Sequence, residues 1–168
     1  FDITAINAIF SNQKLATNEL NFEIETQNLL ANSFQNKLQN HNYSSLLPLP
    51  IEVGIENSEL SSFTSKFNQL VLERNKLLKG RTSENPEILM LNSQLENLLQ
   101  NLKSSVENYI KNLTLKKNKI NTYDSELEAE FYKLNDTELS VLKLSRDLEV
   151  KASILLFLLE KQEENSLK

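Results

Sequence analysis

The chain of 168 residues is long enough for one domain of ordinary size, and with only two glycines and three prolines it lacks the turn-formers that a β-rich fold of that length requires. Long helices are therefore the default. A net charge of -5 argues against nucleic acid, whose phosphates demand a basic face, and the absence of cysteine excludes disulfides and thiolate metal sites.

A first helix is expected over residues 4–40, where Ile6, Ile9 or Phe10, Leu20, Ile24, Leu30, Phe34 and Leu38 recur at helical spacing. The stripe is thin, because polar residues dominate from Lys14 to Asn21. The stretch HNYSSLLPLPIEVGIEN then breaks the pattern, giving a connector over 41–56. Pro48 and Pro50 push the leucines before them toward extended geometry, and Gly54 adds a flexible joint. Its apolar residues, Leu46, Leu47, Leu49, Ile51, Val53 and Ile55, predict that the connector lies against a neighbouring element.

A second helix, 57–79, begins with Asn57 as N-cap and Glu59 in the first turn, where the helix dipole favours an acid. Leu60, Phe63, Phe67, Leu70 and Leu77 form a coiled-coil-like seam in which Arg74 takes one position. Gly80 is the expected stop, and Asn85-Pro86 supplies the cap and first residue of a third helix over 86–133. The short loop between them predicts an antiparallel return.

The third helix carries Ile88, Leu91, Leu95, Leu98, Leu102, Val106, Tyr109, Leu113, Ile120, Leu127, Phe131 and Leu134, with a stutter between Leu102 and Val106. KLNDTEL predicts a restart, with Asn135 or Asp136 as N-cap, so a bend or tight turn at 134–137 is expected before a fourth helix over 136–163. That helix carries one apolar stripe of Leu139, Leu142, Leu148, Ala152, Leu155 and Leu159, and a second of Val141, Leu144, Ile154, Phe157 and Leu158. Two stripes predict two packing partners, with Phe157 and Leu158 meeting either the connector leucines Leu46, Leu47 and Leu49, the favoured reading, or a neighbouring subunit. The expected fold is thus all-α: four helices in long antiparallel hairpins with coiled-coil-like packing, forming one helical arm over 1–168.

Candidate chemistry is sparse. His41 is the only histidine, has no HxxxH partner, and reads as a solvated loop residue. The carboxylates of ELEAE (Glu126, Glu128, Glu130) and KQEEN (Glu163, Glu164) read as solvated helix faces rather than a cation site. Gly54 and Gly80 stand alone, so there is no glycine-rich phosphate loop. Asn42, Asn112 and Asn135 match the N-glycosylation triplet, a pattern that arises easily in an asparagine-rich chain. The expectation is a chain that is not itself an enzyme, with no catalytic, cofactor or metal site. The longest apolar run, Ile154 to Leu159, is far shorter than the roughly 20 residues of a membrane span. A chain that opens on FDITAINAIF is expected to be part of something larger.

Three stretches carry a family resemblance. They are the connector (Leu47, Pro48, Gly54, Ile55, Asn57), the ERNKLL…SENP helix end and restart (Glu73, Arg74, Leu77, Asn85, Pro86), and LSRDLEVK…LFLLEKQEE (Leu144, Arg146, Val150, Lys151, Phe157, Leu158, Leu159, Lys161, Glu163, Glu164). Together they make residues 43–168 similar to the extracytoplasmic region of bacterial polysaccharide co-polymerases. These are chain-length determinant proteins, here resembling the Bacteroidetes form that is often fused to a cytoplasmic tyrosine autokinase. The chain departs from the pattern where Asn135-Asp136 replaces a proline and Gln162 an arginine.

The resemblance implies the periplasmic region of an inner-membrane protein that assembles as a homo-oligomeric ring. It would help set the chain length or export of a surface polysaccharide such as capsule, exopolysaccharide or O-antigen. Implied partners are copies of the protein, the polysaccharide polymerase or the glycan; contact with the membrane would come only through flanking helices. Those helices, an α/β base and any tyrosine kinase domain are expected outside this stretch. The alternative reading is a generic coiled-coil scaffold or tether in a secretion or cytoskeletal assembly. A carbohydrate-binding module suits the chain poorly, since it has no tryptophan and four tyrosines.

Overall fold

The computed structural model describes residues 3–133 and 138–167, and among them the fold is all-α. Four helices occur: α1 (Ile3–Gln39), α2 (Ser58–Leu78), α3 (Pro86–Tyr132) and α4 (Glu138–Leu167), with a single 3-10 turn at Pro50–Val53. The restart expected at Asn135-Asp136, and the side chains of Leu134, Leu139, Val141 and Leu142, lie outside the described residues. The fourth helix runs past the expected end at 163 to Leu167.

The chain divides into two compact units. The first comprises the chain up to Thr26 with Leu113–Glu164; the second comprises Gln27–Asn112 with the last residues from Asn165.

In the second unit the local signals act as expected. Asn57 is extended, and its side chain accepts the Leu60 N–H at 3.0 Å, filling a donor that the first turn of α2 leaves unpaired. Asn85 does the same for α3, accepting from the Glu87 N–H at 3.0 Å, with Pro86 at the first helical position where its missing N–H costs nothing. Gly54 closes the 3-10 turn at φ 90°, a left-handed conformation that a side chain would strain, and an added Cβ would come within 3.2 Å of Leu30 Cδ1. Both constraints select glycine. Gly80 follows the end of α2 without a positive φ and faces open space, so it is less demanding than its sequence position suggests.

The second unit's core joins Ala31, Phe34 and Leu38 of α1 to Leu47 and Ile55 of the connector, Leu60, Phe67 and Val71 of α2, and Leu95, Leu98, Leu99, Leu102 and Val106 of α3. The connector thus lies against the helices, as its apolar residues predict. The α2 seam is rotated from its sequence reading. Thr64 and Val71 are buried with Leu60 and Phe67, whereas Phe63 and Leu70 are only partly covered. Thr64 tolerates burial because its hydroxyl donates to the Leu60 carbonyl at 2.7 Å, leaving no polar atom unpaired.

The first unit has its own apolar cluster. Ile6, Leu127, Leu144 and Leu148 are buried, with Ile9, Phe10, Tyr123 and Phe131 packed against them and the Phe10 and Phe131 rings stacked at 4.0 Å. Lys14 meets Asp124 and Glu128, while Glu25 meets Lys117, so in this unit α1 and α3 run antiparallel. Lys151 of α4 reaches Glu130, and Leu155 and Leu158 share a depression with Ile120, so α4 also runs antiparallel to α3.

One expectation fails here. Ile154 and Phe157 are 53% and 55% exposed, so these two members of the second stripe of α4 are uncovered, while Leu144 is buried and Leu158 half-buried. Phe157 stands nine positions from buried Leu148, about two and a half turns at 3.6 residues per turn, which puts it on the opposite side of the helix. Its ring is met by the Lys161 ammonium, 5.5 Å from the centroid.

Candidate functional site

The residues singled out in the sequence divide between the two units. In the second, Pro48 leads into the 3-10 turn, Gly54 closes it, Asn57 caps α2, and Asn85 and Pro86 begin α3. Arg74 is half-buried, and its Nε donates to Asn92 Oδ1 across the turn between α2 and α3. In the first, Arg146, Phe157, Lys161, Glu163 and Glu164 are exposed, Leu158 is half-buried, and Lys161 pairs with Glu164 at 2.9 Å. The structure does not bring these residues together as one site. They end helices, close turns or occupy the exposed side of α4.

Two features escaped the sequence. The first is a set of amides that fix the connector. Gln27 is only 6% exposed; its Nε2 donates to the Gly54 carbonyl at 2.8 Å, and its Oε1 accepts from the Glu56 N–H at 3.2 Å and the Tyr109 hydroxyl at 2.8 Å. Asn68 pairs with both the N–H and the carbonyl of Leu47 at 2.8 Å, and Asn75 donates to the Ser44 carbonyl at 3.1 Å. These amides satisfy backbone groups that an irregular segment would otherwise leave unpaired. His41 belongs to the same arrangement: a half-buried loop residue, its Nε2 meets the Ser45 carbonyl at 2.9 Å and its ring lies edge-on to Phe67 at 5.5 Å. Burial holds the nearby Tyr43 phenol above its usual range.

The second feature is a pair of ionic crossties in the first unit. Lys14 Nζ lies 2.7 Å from Asp124 and 2.6 Å from Glu128, and its hydrogen bonds to Asp124 and then Glu128 raise its pKa. Lys151 Nζ lies 3.1 Å from Glu130 and 3.7 Å from Glu126. The ELEAE carboxylates are therefore interhelical ion-pair partners, while Glu126 and Glu128 stay exposed as the sequence suggests and Glu130 is half-buried. A lone sequence shows the acids but not the lysines that reach them from other helices. Between the crossties, Tyr123 donates to Gln13 Oε1 at 3.2 Å, and burial, followed by Asp124 and Glu130, raises its phenol pKa. Among the described residues, no group of three or more histidines, cysteines or acids is placed to hold a metal ion.

The first unit also holds a trough between α1 and α4, with a cavity volume of about 390 Å³. Its apolar floor is Ala16, Leu20, Ala152, Leu155, Leu156 and Leu159, and Gln13, Glu19 and Glu23 line one side. Beside it, Lys116 shares a small depression with Ile24, Ile120 and Leu158; burial lowers its pKa, against the opposing effect of Glu23.

These observations define a class: an all-α protein of long helices with an irregular connector held down by buried amides. No helix among the described residues is long and apolar enough to cross a membrane. No protein-family profile, curated protein or solved structure matches the chain.

Proposed function

We propose that this chain is the extracytoplasmic helical arm of a bacterial inner-membrane protein that controls the chain length or export of a surface polysaccharide, working mechanically and not as an enzyme. What supports this reading is the resemblance of the connector, the helix end and restart, and the α4 segment to polysaccharide co-polymerases. The residues of that resemblance in the second unit, Gly54, Asn57, Arg74, Asn85 and Pro86, each end, cap or join an element. That suits a part whose work is to hold a shape. A plain coiled-coil tether has no use for an ordered connector such as 41–56, which favours the first reading over the scaffold alternative. On this reading the full-length protein is a homo-oligomer, and the polymerase or glycan chain is its partner.

The test is genetic. In the bacterium that encodes it, deletion of residues 43–168 from the full-length protein should change the length distribution of a surface polysaccharide on gels. Gly54→Val, which strains the connector without touching any catalytic group, should do so to a smaller degree. An unchanged distribution in the deletion strain, with the protein still inserted and abundant, would refute the proposal.

A further inference from the structure

The trough between α1 and α4 has the form of an unfilled helix position. Gln13 to Glu23 is a rise of ten residue steps along α1 and Ala152 to Leu159 one of seven along α4, so at about 1.5 Å per step the lining extends roughly 10–15 Å, two to three helical turns. Ala16 and Ala152 are short enough to let another backbone approach closely, while Leu20, Leu155, Leu156 and Leu159 provide the apolar contact. Leu156 in particular is 60% exposed, although it belongs to a run of large apolar residues.

Charge identifies the occupant. Glu19 and Glu23 stand along the α1 side, and neither has a lysine or arginine within ion-pair distance among the described residues. The nearest cations are otherwise engaged. Lys14 is held by Asp124 and Glu128, Lys151 by Glu126 and Glu130, and Lys116, which feels Glu23, lies in the adjacent depression. On α4, Glu160 and Glu163 follow one turn beyond Leu156 and Leu159 and are exposed. The apolar floor is therefore bordered by the carboxylates of Glu19 and Glu23 along α1. A helix carrying its own acids beside its apolar stripe would be repelled, whereas lysines or arginines there would meet these carboxylates at partly desolvated positions.

We infer that the α1–α4 trough is a docking site for a cationic amphipathic α-helix of another polypeptide, which would complete a fourth helix position beside α1, α3 and α4. This inference does not depend on the polysaccharide role, because it rests on the lining and charge of the trough alone.

The test uses the intact chain and a designed peptide of about 20 residues, with leucine and alanine on one face and lysine on the flanks, set against a twin carrying glutamate in place of lysine. Binding is followed by fluorescence anisotropy, with circular dichroism confirming that each protein variant is folded. The lysine peptide should bind, and the glutamate twin should bind at least about tenfold more weakly, a difference of about 1.4 kcal/mol. Ala16→Trp, which fills the trough, should abolish binding. Glu19→Lys with Glu23→Lys, a pair of surface changes, should reverse the preference between the peptides, and keeps the inference testable should Ala16→Trp fail to fold. Equal binding of both peptides, binding of the lysine peptide that neither variant alters, or no binding at all would overturn the inference. So would sedimentation showing that the chain dimerises and that Ala16→Trp renders it monomeric, since the trough would then belong to a second copy.

Discussion

The two units use the same element type but are held together differently. The second buries large side chains from three helices and a connector, including Phe34, Leu38, Ile55 and Phe67, and satisfies its irregular backbone with neutral amides. Among the described residues, the first has an apolar cluster around Ile6, Leu127, Leu144 and Leu148, buries Ile24, Leu113, Ile120 and Leu155 besides, and adds two lysines, each set between two carboxylates on α3. Apolar burial is insensitive to moderate salt, while partly exposed ion pairs weaken as charges are screened. The difference therefore predicts where the molecule gives way under each kind of stress.

The comparison can be broken most forcefully at Phe67, which is fully buried in the second unit. Phe67→Ala should cost about 3–5 kcal/mol in urea denaturation, nearly independent of salt. A loss below about 1 kcal/mol would mean that the second unit is not held by its apolar core. Next in size is Gln27→Leu, which leaves the Gly54 carbonyl, the Glu56 N–H and the Tyr109 hydroxyl without this partner. The expected cost is about 1–3 kcal/mol, together with faster amide exchange in residues 47–57. If exchange there is unchanged, Gln27 does not secure the connector.

Lys14→Met tests the first unit. Because the side chain is about a quarter exposed, the loss should be no more than about 1 kcal/mol at low salt, and should shrink in about 1 M NaCl. The same pair gives a pH signature. The Lys14 pKa is raised in the folded state, so its contribution is complete below its unfolded value of 10.5 and is lost as pH rises through the higher folded value. The wild-type chain should therefore lose more stability than Lys14→Met as pH climbs above about 10. The smallest effect is expected at Phe157, where exposure replaces the burial that the sequence suggested. Phe157→Ala should change stability by no more than about 0.5 kcal/mol, as surface substitutions generally do. A loss of several kcal/mol that depends on protein concentration would show that a second copy covers this face.

Much of the architecture was legible because its signals are local. Caps at Asn57 and Asn85, Pro86 at a first helical position and the turn at Gly54 depend only on near neighbours in sequence, and the α3 seam follows one period over most of its length. What the sequence hid depends on partners far along the chain. Gln27 looks like one more polar residue until α1 brings it beside Gly54, Glu56 and Tyr109. Glu126, Glu128 and Glu130 look solvated until Lys14 and Lys151 arrive from other helices. Phe157 misled for the opposite reason: a run of six large apolar residues suggests burial on every side, yet α4 turns only part of it inward. The trough was invisible because its lining alternates between two helices separated by more than a hundred positions.

The contrast between a charge-held and an apolar-held unit is tested most directly by native-state hydrogen exchange of the intact chain at about 50 mM and about 1 M NaCl, where the screening length falls severalfold. Amides of α4 between Lys143 and Glu160 should lose protection at high salt, while those of α2 between Leu60 and Val71 should keep theirs. Equal loss in both helices, or greater loss in α2, would contradict the assignment of ionic crossties to the first unit and an apolar core to the second.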